Sequence, residues 1–110
     1  TTAAEHQIPV CNVPDYGVEE VSDHAVALLL AVWRRLPEAD ARVRAGGWGV
    51  PRTRPIQRIA GSTLGLIGFG RIGAALLRKA RGFGFERIMI ADPALTQPPP
   101  GCILADLNTI

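Results

Sequence analysis

The 110-residue sequence predicts an α/β fold with a parallel sheet, and three observations support this prediction. From Ala60 onward, short apolar runs alternate with an amphipathic helical pattern, which is typical of βαβ units. Aromatic residues make up only 5% of the chain, so the core must be aliphatic, as it is around buried parallel strands. Hydrophobic residues make up 47% and charged residues 20%, a composition that excludes a disordered chain.

The first half of the chain predicts one long helix with short elements on either side. Residues 8–13 are expected to form a short buried strand, and Pro9 places that strand at an edge or at its start. Residues 18–36 have apolar side chains at helical spacing and nearly all round, so this helix should be buried between two layers or in a subunit interface. Pro37 is expected to break it, before a second, short helix over residues 38–45.

The second half predicts strands over residues 63–67 and 87–91, joined by a glycine turn and a helix over residues 71–83. The expected core face of that helix consists of Ile72, Leu76, Ala80 and Phe83. Arg78, Lys79 and Arg81 should face water, and Gly84 should cap the helix. Further elements are an arm or loop over residues 48–59, a loop over 94–101, a third strand from Cys102 to Leu104 and the start of a helix over 105–110.

One motif carries chemistry, the run Gly68-Phe69-Gly70-Arg71-Ile72-Gly73. It is a GxGxxG sequence between a predicted strand and a predicted helix, and Asp92 stands 19 positions after Gly73 at the end of the next strand. In a dinucleotide site Gly68 permits the tight turn, Gly70 lets the pyrophosphate approach the backbone, and Gly73 lets helix and strand pack closely. The alternative is a glycine-rich turn with a capping aspartate and no ligand.

The remaining parts of this predicted site are backbone amides and one carboxylate. The N–H groups around Arg71 and Ile72 should point at the phosphates, assisted by the helix dipole. The Arg71 guanidinium either lies along the pyrophosphate or only covers the first helical turn. Asp92 should accept hydrogen bonds from the adenosine ribose and repel a 2′-phosphate, which favours NAD over NADP.

Several other functions are not favoured by the sequence. Seven of the eleven arginines lie between Arg34 and Arg58, either as an anion-binding face or as a solvated connection, without the aromatic residues of a nucleic-acid site. Cys11 and Cys102 lack metal-ligand spacing and are expected to be reduced packing residues of a cytoplasmic protein. His24 is expected to be a packing residue, and no apolar run is long enough to span a membrane.

Two segments, residues 8–35 (IPVCNVPDYGVEEVSDHAVALLLAVWRR) and 61–93 (GSTLGLIGFGRIGAALLRKARGFGFERIMIADP), resemble the D-isomer-specific 2-hydroxyacid dehydrogenases. They are most similar to members like phosphoglycerate dehydrogenase and the C-terminal-binding proteins. The resemblance implies that residues 1–17 are the end of a substrate domain and a hinge. Residues 18–110 are then the first half of an NAD-binding Rossmann domain, a partial doubly wound parallel sheet. The family's cofactor contacts carry over onto Gly70, Arg71, Ile72, Asp92 and Pro93.

The same resemblance implies hydride transfer between NAD(H) and a small D-2-hydroxy acid or 2-oxo acid. It also implies a homodimer formed through residues 18–36 and the arm that carries Trp48, although Trp48 could equally pack on its own domain. The family takes its catalytic Arg, Glu and His from later segments, so this chain is expected to be an inactive fragment. The alternative function is an NAD-sensing, corepressor-like interaction protein.

Overall fold

A computed structural model describes residues 2–49 and 55–110. The elements in chain order are α1 (Thr2–Glu5), α2 (Val18–Trp33), α3 (Leu36–Arg44), β1 (Thr63–Ile67), α4 (Arg71–Ala80), a 3₁₀ turn (Arg81–Phe83), β2 (Arg87–Ala91) and β3 (Ile103–Leu104). Part of the predicted arm, residues 50–54, lies outside the described residues. Within the described ranges, the helices are too short or too polar to cross a bilayer.

The three strands form one parallel sheet in the order β1–β2–β3, which confirms the predicted α/β class. Leu64 pairs with Ile88 and Leu66 with Ile90, and β3 continues the sheet beyond β2. Successive strands of a parallel sheet need a crossover, which α4 supplies between β1 and β2. All three strands therefore end at the same edge of the sheet.

One face of this sheet packs against α4 and forms the core. The buried apolar residues there are Leu64, Leu66, Leu77, Ala80, Ile88 and Ile90. Three residues of the predicted core face do pack there, because Ala80 is buried and Leu76 and Phe83 pack partly against the core. Ile72 differs from the prediction and is 42% exposed, and Ala75 and Leu77 are buried in addition. Residues 73, 77 and 80 lie on one helical stripe, and the absence of a side chain at Gly73 lets that stripe approach the sheet. Lys79 was expected in water but is largely covered by α2.

The predicted strand over residues 8–13 is wrong. The segment is irregular, and Ile8, Val10 and Val13 are 58%, 77% and 74% exposed. Its apolar composition resembles that of a buried strand, but within the described residues no strand pairs with it. A strand needs such a partner to satisfy its backbone groups.

The boundary between the first two long helices also differs from the prediction. Helix α2 ends at Trp33, because Arg35 adopts a left-handed conformation with φ 55°. Pro37 lies in the first turn of α3, where its missing N–H has no partner to lose, so it begins a helix instead of breaking one. The short second helix is confirmed over Leu36–Arg44.

Within the described residues, α2 packs mainly against α4, and its end also contacts α3 and Gln57. Ser22 is its one buried residue, and Val21, Leu28 and Val32 are about half-exposed or more. Burial between two layers is therefore not found in the described chain, and the subunit interface stays a prediction. His24 and Cys11 are exposed, contrary to the expected packing roles, whereas Cys102 packs partly against the core.

Residues 105–110 form a turn instead of the predicted start of a helix. The N–H of Asn108 and the hydroxyl of Thr109 donate to the Asp106 carboxylate at 2.8 and 2.7 Å. The side chain of an aspartate competes with the backbone for such donors, which favours a turn over a helix. Ile110 lies against Gly65 of β1.

Candidate functional site

The glycine loop occupies the junction of β1 and α4 that the sequence predicts. Gly68 leaves β1 with φ 87°, a conformation that L side chains rarely adopt. A Cβ at Gly73 would lie 2.7 Å from the Gly68 carbonyl oxygen, closer than real Cβ contacts. A Cβ at Gly70 would meet no heavy atom within 4 Å, so the space beside this residue is open. The loop is therefore closed on its helix side and open at Gly70.

The open side of the loop leads to the amino terminus of α4. Gly70 is the N-cap residue and has no side chain that could bond the amides of the first turn. Those amides, from Arg71 to Gly73, precede the first intrahelical donor, Ala74, whose N–H bonds the Gly70 carbonyl. Free amides and the positive end of the helix dipole favour an anion at this place.

Asp92 stands at the end of β2 and is bonded to the glycine loop. The Phe69 N–H donates to its Oδ2 at 2.6 Å, and the Ala94 N–H donates to its Oδ1 at 2.8 Å. These two bonds, that of Phe69 first, lower the pKa of Asp92 below its ordinary value. The carboxylate is therefore charged at neutral pH. Each of its oxygens retains a second lone pair, which can accept a ribose hydroxyl.

A cleft of about 610 Å³ lies beside Asp92, at the carboxyl ends of the three strands. Apolar side chains from β1, from β3 and from the segments after β2 and β3 line it: Ile67, Leu95, Leu104 and Leu107. Gly68 and Pro93 border the same cleft, so the predicted residues Gly68, Asp92 and Pro93 meet there. Ligands of open parallel sheets bind at this edge.

The apolar residues of this cleft were missed by the sequence analysis. Leu95 lies in a proline-rich loop, and Leu107 lies in the segment for which a helix was expected. One signal was available, because both residues follow strands whose carboxyl ends share an edge. To use that signal, one must know that β3 pairs with β2, and a strand of only two residues gives a weak pattern in the sequence.

Arg71 and Ile72 turn their side chains to different surroundings. The Arg71 guanidinium contacts the Asp15 carboxylate at 2.9 Å, on the turn that precedes α2. Ile72 lines a groove beside the glycine loop, together with Ile67 and Leu76. The backbone amides of Arg71 and Ile72 stand in the first turn of α4, at the site that favours an anion.

These residues fit a dinucleotide. The open space at Gly70 and the amides of α4 suit the pyrophosphate, the charged Asp92 suits a ribose, and the apolar cleft suits a flat heterocycle. Within the described residues, no group of three or more His, Cys, Asp or Glu side chains is arranged to hold a metal ion.

Comparisons with known proteins agree with this geometry. Residues 26–108 match the family model of the D-isomer specific 2-hydroxyacid dehydrogenase, NAD binding domain. Glyoxylate reductase from Thermococcus litoralis is 45% identical over 92 residues, which cover 78% of this chain and 28% of that protein.

Two solved structures share the fold. D-lactate dehydrogenase with NAD⁺ from Lactobacillus jensenii superposes with a TM-score of 0.80 at 27% identity, over 96% of this chain and 32% of that one. NAD-dependent formate dehydrogenase from Staphylococcus aureus in complex with NAD gives 0.83 at 26% identity, over the same shares. This chain spans about a third or less of the proteins that it matches.

Proposed function

The chain belongs to the NAD-binding domain of the D-isomer specific 2-hydroxyacid dehydrogenases, and we propose that the whole protein is a dehydrogenase or reductase of that kind. Its substrate is a small D-2-hydroxy acid or the corresponding 2-oxo acid. The names of relatives such as glyoxylate reductase support this substrate class. Bound NADH supplies a hydride to the carbonyl carbon of a 2-oxo acid, and the carbonyl oxygen gains a proton.

Within that protein, residues 1–17 end the substrate domain and residues 18–110 form the first half of the nucleotide domain. Exposed apolar side chains support this division. Val10 and Val13 are exposed in the irregular segment before α2. Further parts of the two domains would cover them. The catalytic Arg, Glu and His would come from those parts, and this chain alone would be inactive.

The chain's own task is to hold the adenosine and pyrophosphate end of NAD. The close approach of Gly73 to the Gly68 carbonyl is the observation that carries this proposal, because it builds the bare-backbone bend that phosphates need. The amides of Gly70, Arg71 and Ile72 donate to the pyrophosphate. Asp92 accepts the ribose hydroxyls, and Pro93 borders the adenine cleft.

Titration of the intact protein with NAD and NADP tests this assignment. Asp92→Ala should weaken NAD binding about tenfold, because it removes a charged hydrogen-bond acceptor. The same substitution should also bring the dissociation constants for NAD and NADP closer together. Asp40→Asn is the control, since Asp40 lies on α3 and contacts Arg44. Equal affinity of the unmodified protein for NAD and NADP would contradict the role of Asp92.

We also propose that the protein is a homodimer formed through α2 and the arm that carries Trp48. Val21, Leu28 and Val32 share one stripe of α2, and Trp48 is 89% exposed. Sedimentation of Val32→Glu should show dissociation, whereas Gln97→Glu, in a loop after β2, should stay dimeric. A Val32→Glu dimer of unchanged affinity would contradict this interface.

The proposed location is the cytoplasm. Cys11 and Cys102 are both free thiols, and Cys11 is exposed. Free exposed thiols persist in a reducing compartment. Maleimide labelling of both cysteines in denaturant, directly after cell lysis, should be complete, and a disulfide at either one would contradict this location.

A further inference from the structure

Acidic residues just before α2 and in its first turns pair with basic residues of α4. The pairs follow the same order along both segments. The pairs that join the two segments are Asp15–Arg71 at 2.9 Å, Glu19–Arg78 at 2.6 Å, Glu19–Lys79 at 3.0 Å and Asp23–Lys79 at 2.5 Å. This row of ion pairs runs from the glycine loop toward the carboxyl end of α4. We call it the α2–α4 ion row.

The two ends of the α2–α4 ion row differ in how firmly they are held. The Lys79 side chain is only 20% exposed, and its ammonium also donates to the Ser22 hydroxyl at 2.7 Å and to the Glu19 carbonyl at 2.9 Å. Ser22 is fully buried. At the other end, the side chains of Arg71 and Asp15 are 60% and 82% exposed. The Lys79 end is therefore an anchor, and the Arg71 end is a single surface ion pair.

The weak end is the one beside the candidate anion site. Arg71 is the first residue of α4 and directly follows Gly70, where the space is open. A surface ion pair of this kind stabilises weakly, because both groups remain solvated. A pyrophosphate carries two negative charges and offers a guanidinium two-oxygen hydrogen bonding, so it is a stronger partner than one solvated carboxylate.

Arg71 also has room to exchange partners. A groove of about 500 Å³ lies where the start of α2 meets α4, and the Asp15–Arg71 pair borders it. Asp15 and the first residues of α2 line one side, and the first turns of α4 line the other. The guanidinium lies in this groove, with neither partner enclosed by core side chains.

We propose that Asp15 is a positioning residue that pairs with the Arg71 guanidinium and competes for it with the pyrophosphate of the dinucleotide. Binding exchanges one partner of Arg71 for the other. The turn of residues 14–17 then loses its tie to α4, while Lys79 keeps α2 in place. The inference rests on the proposed NAD site and adds a residue outside the glycine motif that sets its affinity.

NAD titration of four forms of the intact protein tests the competition: unmodified, Asp15→Asn, Arg71→Met and the double variant. Asp15→Asn should tighten NAD binding about two- to fivefold, which corresponds to the loss of one competing surface ion pair. In the Arg71→Met background, the same change at Asp15 should leave the affinity unaltered. Adenosine, which lacks phosphate, should bind the unmodified and Asp15→Asn forms equally.

The control is again Asp40→Asn, which removes an equal charge from the exposed Asp40–Arg44 pair on α3. Weaker or unchanged NAD binding by Asp15→Asn would overturn the competition. An equal gain in the Arg71→Met background would also overturn it, because the gain would then reflect overall charge. If the unmodified protein bound no NAD, the proposed function would fall, and this inference with it.

Discussion

The βαβ unit, residues 63–91, and the amino-terminal segment, residues 2–36, use their apolar side chains in opposite ways. In the βαβ unit, leucines and isoleucines of both strands and α4 bury one another. In the amino-terminal segment, the buried residue is Ser22, while Val10, Val32 and other large apolar side chains are exposed. Its attachment to α4 includes ion pairs through Glu19 and Asp23, and Leu29 packs partly against the core. A periodic apolar pattern thus predicts the helix in both regions, as α2 shows, but it predicts burial only where the described chain itself supplies the partner surface.

The largest expected effect that sharpens this comparison comes from the core of the βαβ unit. Ile90 is fully buried between β1 and β3, so Ile90→Ala leaves a cavity. The free energy of unfolding should fall by about 2–5 kcal/mol in denaturant titrations. Val43→Ala on α3, where Val43 is 57% exposed, should change it by less than about 0.5 kcal/mol. Equal losses in the two variants would contradict the contrast between the regions.

A smaller effect is expected at the contact between the glycine loop and α4. In Gly73→Ala the new Cβ lies 2.7 Å from the Gly68 carbonyl oxygen, so α4 must shift. Overpacking of this kind costs about 1–3 kcal/mol of stability, and NAD affinity should fall by about tenfold or more. Gly82→Ala is the matched control, because its Cβ would meet no atom within 4 Å. Normal NAD affinity in Gly73→Ala would show that the close approach of Gly73 to the Gly68 carbonyl does not contribute to NAD binding.

These contrasts also explain how far the sequence could predict the structure. The strand bounds 63–67 and 87–91, the αL cap at Gly84 and the position of Asp92 were predicted, because glycine and acidic residues mark local turns. The core face of α4 was predicted at Leu76, Ala80 and Phe83 but not at Ile72, which is exposed, because hydrophobic periodicity does not record the close approach at Gly73. Likewise, residues 8–13 have the composition of a strand but no partner in the described chain.

The candidate site was predicted in its residues but not in all its contacts. The spacing of Gly68, Gly73 and Asp92 indicated the loop and the acid. The bond from the Phe69 N–H to Asp92 and the pairing of Arg71 with Asp15 depend on three-dimensional approach over 23 and 56 residues of sequence. The spacing of residues along the sequence does not predict such contacts.

A smaller effect is expected where α2 is attached to α4. Lys79→Met keeps much of the side chain's length and apolar stem but removes the bonds to Glu19, Ser22 and Asp23. Amide hydrogen exchange in α2 should then accelerate a few-fold at neutral pH, while exchange in β1 and β2 stays slow. Arg44→Met, which removes an exposed pair on α3, is the control. Unchanged exchange in α2 would show that apolar contacts with α4 hold the helix without the ions.

The smallest expected effect is the pH dependence of the same attachment. Hydrogen bonds from Lys79 and then Arg78 hold the pKa of Glu19 below its ordinary value of 4.5. Burial lowers the pKa of Lys79, but its bonds to Asp23 and Glu19 outweigh burial and raise it above 10.5. The lowered pKa of Glu19 stabilises the fold above pH 4.5, and this stabilisation is lost as the pH falls through the folded value. The raised pKa of Lys79 stabilises the fold below pH 10.5, and this stabilisation is lost only as the pH rises through its folded value.

The attachment of α2 should therefore be constant between about pH 5 and 10 and weaken on the acid side. Exchange rates of α2 amides, corrected for their intrinsic pH dependence, should rise below pH 4.5 relative to those of β1 and β2. In Lys79→Met the acid-side rise should be smaller, because Glu19 has already lost its strongest donor. A rise centred above neutral pH, or one of equal size in both proteins, would show that another group joins α2 to the βαβ unit.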